Sequence, residues 1–358
     1  MMRVSAAIHS AAQWLLPLLA LGLILTAIVA AVGMLPAGMQ RVATDALIKL
    51  LVVVGSYIFI GNSGVLSFGH VSFMGIGAYV AAWLVISPET KQLMLPNLPA
   101  LLMDAHYSPT VAALAAGAAA SVFALLVGLP LARLSGISAS IGSFAVLAVV
   151  NAVLSNWTSM TGGQGSLYGL PSYANIWTTL PWALAALALA WTYQQSRFGL
   201  RLRGARDDEV AAAASGVDIW RERVIALVVS AFFCGVAGAL YGYFLGVIVA
   251  RSFYLQMTFI TIAMLVVGGL GSLSGAVAGV IVITAFGEVL RNLERGLDLG
   301  PFTLGAHPGL QELGLAALML IILIFRPRGL TGGREIALLP RSWWKAGPKA
   351  GEVSENCR

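Results

Sequence analysis

From Trp14 to Leu35 the chain runs without one charged residue. A helix over such a stretch is about 30 Å long, the hydrocarbon thickness of a bilayer. Comparable runs recur as far as residue 326, and this recurrence constrains the fold more than any other feature. Only 10% of residues are charged while 59% are hydrophobic, too few charges to cover a soluble surface. The chain therefore reads as an all-α polytopic membrane protein. Its net charge of +6 does not mark a nucleic-acid face, because the basic residues cluster in loops that flank the apolar runs.

Spans of about 20 apolar residues are placed near 14–35, 42–60, 65–86, 110–132, 137–155, 176–193, 224–250, 254–270, 272–290 and 310–326. This gives about ten transmembrane helices, or eight to ten if the second and third merge or the third re-enters. The first run exceeds the roughly 7–15 residues of a leader's apolar region and is read as a span. With the N-terminus in the cytoplasm, 15 of the 21 Lys and Arg residues lie inside and six outside. The positive-inside rule thus sets both termini in the cytoplasm. Segments 87–109, 156–175 and 291–309 then face outward, and the charged loop 194–223 faces inward. Residues 1–330 form the transmembrane domain and 331–358 a basic cytoplasmic tail, whose Trp343-Trp344 pair beside Arg341 and Lys345 suits an interfacial anchor.

Cys234 and Cys357 offer neither a disulfide framework nor metal-ligand spacing. His9, His70, His106 and His307 are too scattered for a zinc motif, and no phosphate-binding GxxxxGK[ST] loop is present. No metal, no catalytic residue and no nucleotide is therefore expected on this chain.

Three segments stand out. The loop QQSRFGLRLRGARDDEVAAAASGVDIWRERV mixes charges with the alanine run 211–214. Asp207, Asp208 and Glu209 suit a helix N-terminus, alanine has the highest helix propensity, and Gly216 ends the element. A short solvent-side helix is expected, either as a connector or as a docking element. Two glycine ladders follow. Gly238, Gly242 and Gly246 lie four apart, as do Gly271, Gly275 and Gly279, the second set preceded by Gly268 and Gly269. Such spacing lets helix backbones approach closely, and the density around 268–275 suggests a helix break, tolerated only where protein or water covers the freed backbone. The segment GNSGVLSFGHVSFMGIGAY, 61–79, places Asn62, Ser63, Ser67 and His70 at or within the bilayer edge. Ser63, Ser67 and His70 fall on one side at helical spacing, facing either a path or a neighbouring helix. Paired interruptions in the two halves of a chain point to a central pathway.

Three functions compete for this pattern. GNSG fits the GxSG of a serine hydrolase, but Ser63 and His70 lie about 10 Å apart along a regular helix, beyond the ~2.6–3.2 Å a catalytic pair needs. An intramembrane protease would require residues 61–69 to fold back sharply. An ion-driven carrier or channel calls for carboxylates within the spans, whereas Asp45 and Glu288 are placed near the outer ends. The charges from Glu288 to Asp298 are read as helix-stabilising pairs. A permease driven by a separate ATPase needs a Gly/Ser-rich path, a structured cytoplasmic loop and no nucleotide site, and the sequence carries all three.

The chain also resembles the LivM-type permeases of branched-chain amino acid ABC importers. The likeness rests on GNSGVLSFGHVSFMGIGAYVAAWL, TGGQGSLYGLP, SRFGLRLRGARDDEVAAAASGVDIWRERVIALVVSAFFCGVAGALYG, VVGGLGSLSGAVAGVIV and FRPRGLTG, in family order from about residue 42 to 332. It implies a permease in the bacterial inner membrane, paired with a second, LivH-like permease. Two cytoplasmic ABC ATPases that hold ATP and Mg, and a periplasmic solute-binding protein, complete the implied assembly. Branched-chain amino acids are the implied solutes, with urea, short amides or another small polar solute as the alternative. The segment 206–216 is similar to the importers' coupling segment, which implicates Arg206, Asp207, Asp208, Glu209, Ala212 and Gly216. Glu209 and Gly216 are seven apart where six is the commoner spacing.

Overall fold

The computed structural model describes residues 2–294, 298–299, 302–303, 309–333 and 335. Helices α1 (Met2–Gly33), α2 (Ala37–Ser63) and α3 (His70–Val85) are followed by short α4 (Pro88–Met94) and α5 (Ala100–Met103). Next come α6 (Pro109–Leu131), α7 (Gly136–Asn156) and the single turn α8 (Thr158–Thr161). Helix α9 (Ile176–Gln195) leads through α10 (Arg197–Asp207) and α11 (Glu209–Ala214) into α12 (Ile219–Leu245). Helices α13 (Leu255–Gly268), α14 (Leu273–Glu294) and α15 (Leu310–Phe325) complete the order. Among the described residues seven helices are long and apolar enough to cross a membrane, and α3 and α15 are shorter apolar helices. With the 20-residue α9, they occupy the ten positions read from the sequence.

Helix α2 is the hub. Residues 50–63 are buried without interruption, as befits a helix apolar on every face. It packs against α9, α12 and α14, while α12 runs between α3 and α6. Glycine makes these crossings possible. A Cβ on Gly238 of α12 would overlap the Met74 carbonyl of α3, and one on Gly77 would overlap the Gly235 backbone. The facing side of α6 is an alanine stripe, Ala112, Ala116, Ala120 and Ala124, each buried. Backbones in van der Waals contact are how membrane helices associate without a hydrophobic driving force between them. Helices α1, α6 and α7 expose leucine, isoleucine and valine on their outer sides, which in a bilayer face lipid.

The outer surface carries more structure than open loops. Leu167–Tyr168 (β1), within TGGQGSLYGLP, pairs antiparallel with Val247–Ile248 (β2). A second two-residue ribbon joins Asp298–Leu299 (β3) to Phe302–Thr303 (β4). The connection after α3 is held by buried Lys91, whose ammonium donates to the carbonyl of Leu102 at 2.9 Å and to that of Ala105.

Several sequence expectations change. Ser63, Ser67 and His70 share no helix face, because α2 stops at Ser63, residues 64–69 are non-helical and α3 begins at His70. The cause is Gly64 at φ +72°, a left-handed C-cap whose N–H donates to Ile60 O at 2.9 Å. Gly246 does not continue the ladder of Gly238 and Gly242. It caps α12 at φ +70°, so the helix expected over 224–250 ends at 245. Gly271 lies in the turn before α14, whereas Gly275 and Gly279 lie within that helix. The cytoplasmic loop holds two helices instead of one. Trp343 and Trp344, with Arg341 and Lys345, lie outside the described residues.

Gly238→Ala is expected to destabilise the protein by about 1–3 kcal/mol, the usual cost of overpacking. Gly38→Ala meets nothing within 4 Å and should be neutral or stabilising through helix propensity. Thermal unfolding of the two variants in detergent checks the contrast.

Candidate functional site

The charged loop 194–223 is a capped helix on a second, anchored helix. Asp208 accepts hydrogen bonds from Val210 N (2.9 Å) and Ala211 N (3.0 Å), which fixes the start of α11. At its end Gly216, φ +81°, donates to Ala213 O, and Val217 N donates to Ala212 O at 3.1 Å. These two bonds form a Schellman stop. Ala212 is buried beneath the helix while Glu209, Val210, Ala211, Ala213 and Ala214 are exposed. Glu209 pairs with the buried guanidinium of Arg223, and Arg201 pairs with Glu222 at 3.3 Å, so both loop helices are tied to α12. Arg206 and Asp207 lie just before α11, their charged groups 3.8 Å apart.

Helix α10 also grips the end of α2. Arg203 Nε donates to Asn62 Oδ1 at 2.8 Å, and its Nη2 donates to Tyr57 OH at 3.1 Å. Arg206 Nη1 donates to Gly61 O at 2.7 Å, and its aliphatic stem fills the space a Cβ on Gly64 would need. Asn62 is fully buried and donates to Ile58 O at 2.8 Å. Ser63 Oγ accepts from Val65 N at 3.2 Å, and Ser67 Oγ from Gly69 N at 3.4 Å. His70 is buried between Phe59 and Phe73, its ring centroid 5.7 and 6.0 Å from theirs. Neither of its nitrogens hydrogen-bonds a serine side chain. The segment does leave the helix at 64–69, yet Ser63 and His70 form no catalytic pair.

The α13–α14 turn lies on the same inner side. Gly268 packs on the Gly275 carbonyl and Gly279 on that of Met264, with no room for a Cβ on either. Gly269 turns the chain at φ +120°. Residues 329–333 and Glu335 fold onto this turn. Leu330 N donates to Val267 O at 2.9 Å, Thr331 Oγ1 donates to Gly268 O at 3.1 Å, and the Ser272 and Thr331 hydroxyls lie 2.7 Å apart. Glu335 accepts from Leu273 N (2.7 Å) and Ser274 N (3.1 Å) at the start of α14, where a carboxylate also meets the helix dipole. Gln194 donates to Glu335 at 3.1 Å and accepts from Tyr57 OH at 3.0 Å. A continuous polar chain therefore runs from Arg203 through Tyr57, Gln194 and Glu335 to α14. Local pattern carries no signal for it, since bonded partners such as Arg203 and Tyr57 lie 146 residues apart.

A further site went unread in the sequence. A cavity of about 750 Å³ opens between the outer halves of α2 and α14, with α12, α13 and α15 as further walls. Asp45 and Lys49 project from α2, 2.5 Å apart, and Glu288 pairs with Arg291 on α14. Because α2 begins at Ala37, Asp45 and Lys49 lie about 12 and 18 Å along its axis. Asp45 and Lys49 thus sit two or more turns inside α2, while Glu288 lies in the last two turns of α14, near its outer end as expected. Among the described residues no group of three or more His, Cys, Asp or Glu side chains converges to hold a metal.

The family described as the permease component of branched-chain amino acid transport systems matches residues 38–324. Similar proteins include the high-affinity branched-chain amino acid transport system permease protein LivM of Escherichia coli (strain K12), 24% identical over 335 residues that cover 83% of this chain and 71% of that protein. The LivH permease protein of the same strain is 26% identical over 315 residues, 80% of this chain and 92% of that one. The probable LivM of Methanocaldococcus jannaschii is 28% identical over 148 residues, 40% and 42% of the two chains. No solved structure matches the chain.

Asp208→Ala is expected to fray α11 by about 1 kcal/mol, the ordinary worth of an N-cap. Hydrogen exchange should quicken roughly fivefold at Val210 and Ala211 and stay unchanged in α2. Asp208→Asn, which keeps the acceptor oxygen, should restore protection.

Proposed function

Since the chain belongs to the permease-component family of branched-chain amino acid transport systems, we propose that it is one of two permeases in an ATP-driven importer of branched-chain amino acids. In this reading a second, LivH-like permease completes the membrane unit, two ABC ATPases dock from the cytoplasm, and a periplasmic binding protein delivers the solute. The assembly resides in the bacterial inner membrane. ATP and Mg act on the ATPase subunits, and this chain binds no cofactor of its own.

One observation carries the mechanism: the exposed helix α11 is continuous, through α10, with hydrogen bonds to the buried end of α2. An ATPase that receives α11 in a surface cleft moves α10 when it closes on ATP. Arg203 and Arg206 then transmit that movement to Asn62 and Gly61, hence to the central helix. Glu209, Ala212 and Gly216 set the shape of the docking helix, while Arg206, Asp207 and Asp208 form its junction with α10. The glycine contacts of α12 and of the α13–α14 turn let helices slide at short range. Asn62 and Ser63 serve as the joint at the inner end of the path. Ser67 and His70, buried just beyond it, are the surface that opening would wet.

Replacing Glu209 by Ala and Gly216 by Val together is expected to uncouple the assembly. Uptake into proteoliposomes should fall by roughly 5–150-fold, the span of an ordinary coupling free energy, while ATP hydrolysis persists and the permease still inserts. Normal uptake by the double variant would refute the docking assignment. The pair Ser67→Ala and His70→Ala should change the uptake KM or maximal rate without loss of assembly. Unaltered kinetics would mark that surface as packing.

A further inference from the structure

The cavity between α2 and α14 holds an arrangement for which packing gives no reason. Charged side chains at membrane depth are costly and as a rule pair or face a polar cavity. Here both conditions hold together. Asp45 and Lys49 form one pair on α2, Glu288 and Arg291 another on α14, and the two pairs face one space of about 750 Å³. Arg41 lines the same space and, among the described residues, makes no ion pair. The buried Nε of Arg291 has no hydrogen-bond partner. The volume lies within the range of about 300–1,000 Å³ typical of small-molecule sites. The remaining wall is largely apolar, with Phe244, Ile260, Met264 and Leu315, and carries the Tyr241 ring as well.

Both signs of charge are thus offered on opposite walls, together with an apolar surface. A plain anion or a plain cation would satisfy only half of these groups. A molecule with an ammonium and a carboxylate on one apolar body satisfies both, the ammonium toward Asp45 or Glu288 and the carboxylate toward Arg41 or Arg291. The intrahelical pairs already compensate these half-buried charges, and a bound zwitterion adds partners without leaving any charge alone. We propose that this cavity is a binding site for a free amino acid in the outer half of the permease. The inference rests on the importer reading above and adds to it a place where this chain itself holds the solute. A zwitterionic phospholipid headgroup offers related charges, and an apolar cleft between α1, α2 and α14 adjoins the cavity at Glu288 and Asn292. The test therefore separates the two sources.

The full-length permease in nanodiscs is titrated calorimetrically with L-leucine, with 3-methylbutylamine, which lacks the carboxylate, and with 4-methylpentanoate, which lacks the amine. Leucine should bind, and each single-charge analogue should bind roughly 30-fold more weakly, the usual scale for losing one desolvated charge contact. Asp45→Asn and Arg291→Gln should each weaken leucine to a similar degree. Should these variants fail to assemble, the exchange of Asp45→Lys with Lys49→Asp keeps an ion pair on α2 while moving each charge by a turn, and it too should lose leucine affinity. Equal binding of leucine and its analogues, or undiminished affinity in the exchanged variant, overturns the proposal. So does absence of leucine binding, including the case in which only nanodiscs of phosphatidylethanolamine, and not of phosphatidylglycerol, stabilise the wild type over the variants. Leucine uptake by the whole assembly is measured separately. Uptake without binding at the cavity overturns this inference alone, while binding that fails in the variants but without uptake upholds it and overturns the importer reading.

Discussion

A helix that breaks inside a bilayer frees N–H and C=O groups that lipid cannot satisfy, and much of this structure answers that constraint. The chain leaves α-helical geometry at 64–69, at 246–254, where Ala250–Phe253 forms a 3-10 turn, and at 269–272. Each interruption is met by donors and acceptors from elsewhere. At the first, Ser140 Oγ donates to Leu66 O at 2.6 Å, Ser143 Oγ accepts from Phe68 N at 2.9 Å, and Arg206 takes Gly61 O. At the second, the β1–β2 ribbon and Asn151, which donates to Ala250 O at 3.2 Å, cover the backbone. At the third, Leu330 N, the Thr331 hydroxyl and the Glu335 carboxylate supply the partners.

The first and third interruptions share their cover. Arg203 lies beside the first and Glu335 caps the helix after the third, with Tyr57 and Gln194 between them. A buried network of this kind gains from complete pairing and loses heavily when one member is removed. The two interruptions are therefore not independent local features. A displacement of α10 that loosens Arg203 alters the surroundings of Tyr57, and through Gln194 those of the α14 N-terminus. Residues beyond α15 belong to this unit too, since Thr331 and Glu335 are among its members.

The parts of the fold that depend on composition over about 20 residues were legible in the sequence. The apolar runs marked the ten positions, and the DDE-to-glycine stretch marked a capped cytoplasmic helix. What failed depended on a single backbone angle. Extending helical periodicity through Gly64 put Ser63, Ser67 and His70 on one face, and extending it through Gly246 lengthened α12, because a left-handed glycine and a helical one look alike in a sequence. Asp45 sits two turns inside α2 because that helix starts at Ala37, before the fully apolar run begins. Partners such as Arg203 with Asn62, or Ser140 with Leu66, are brought together by tertiary packing, and local pattern carries no trace of it.

Helix α2 joins the two ends of this picture. Its inner end is gripped by Arg203 and Arg206, and its outer half bears Asp45 and Lys49 on the cavity wall. Between them residues 50–63 are buried on every side, and the helix carries no proline and no interruption; its one Gly-Ser pair, Gly55-Ser56, a type of site at which helices kink, is packed against Ser230 and Phe233 of α12. With that pair packed in place, α2 is built to move as one body. A shift imposed at Asn62 arrives at Lys49 about 20 Å away along the axis as a shift of the cavity wall, and a change in how the cavity is filled returns along the same helix to α10. Close-packed interiors favour discrete rearrangements over gradual deformation, and the glycine contacts of α12 and α14 leave backbone surfaces along which such a rearrangement can occur.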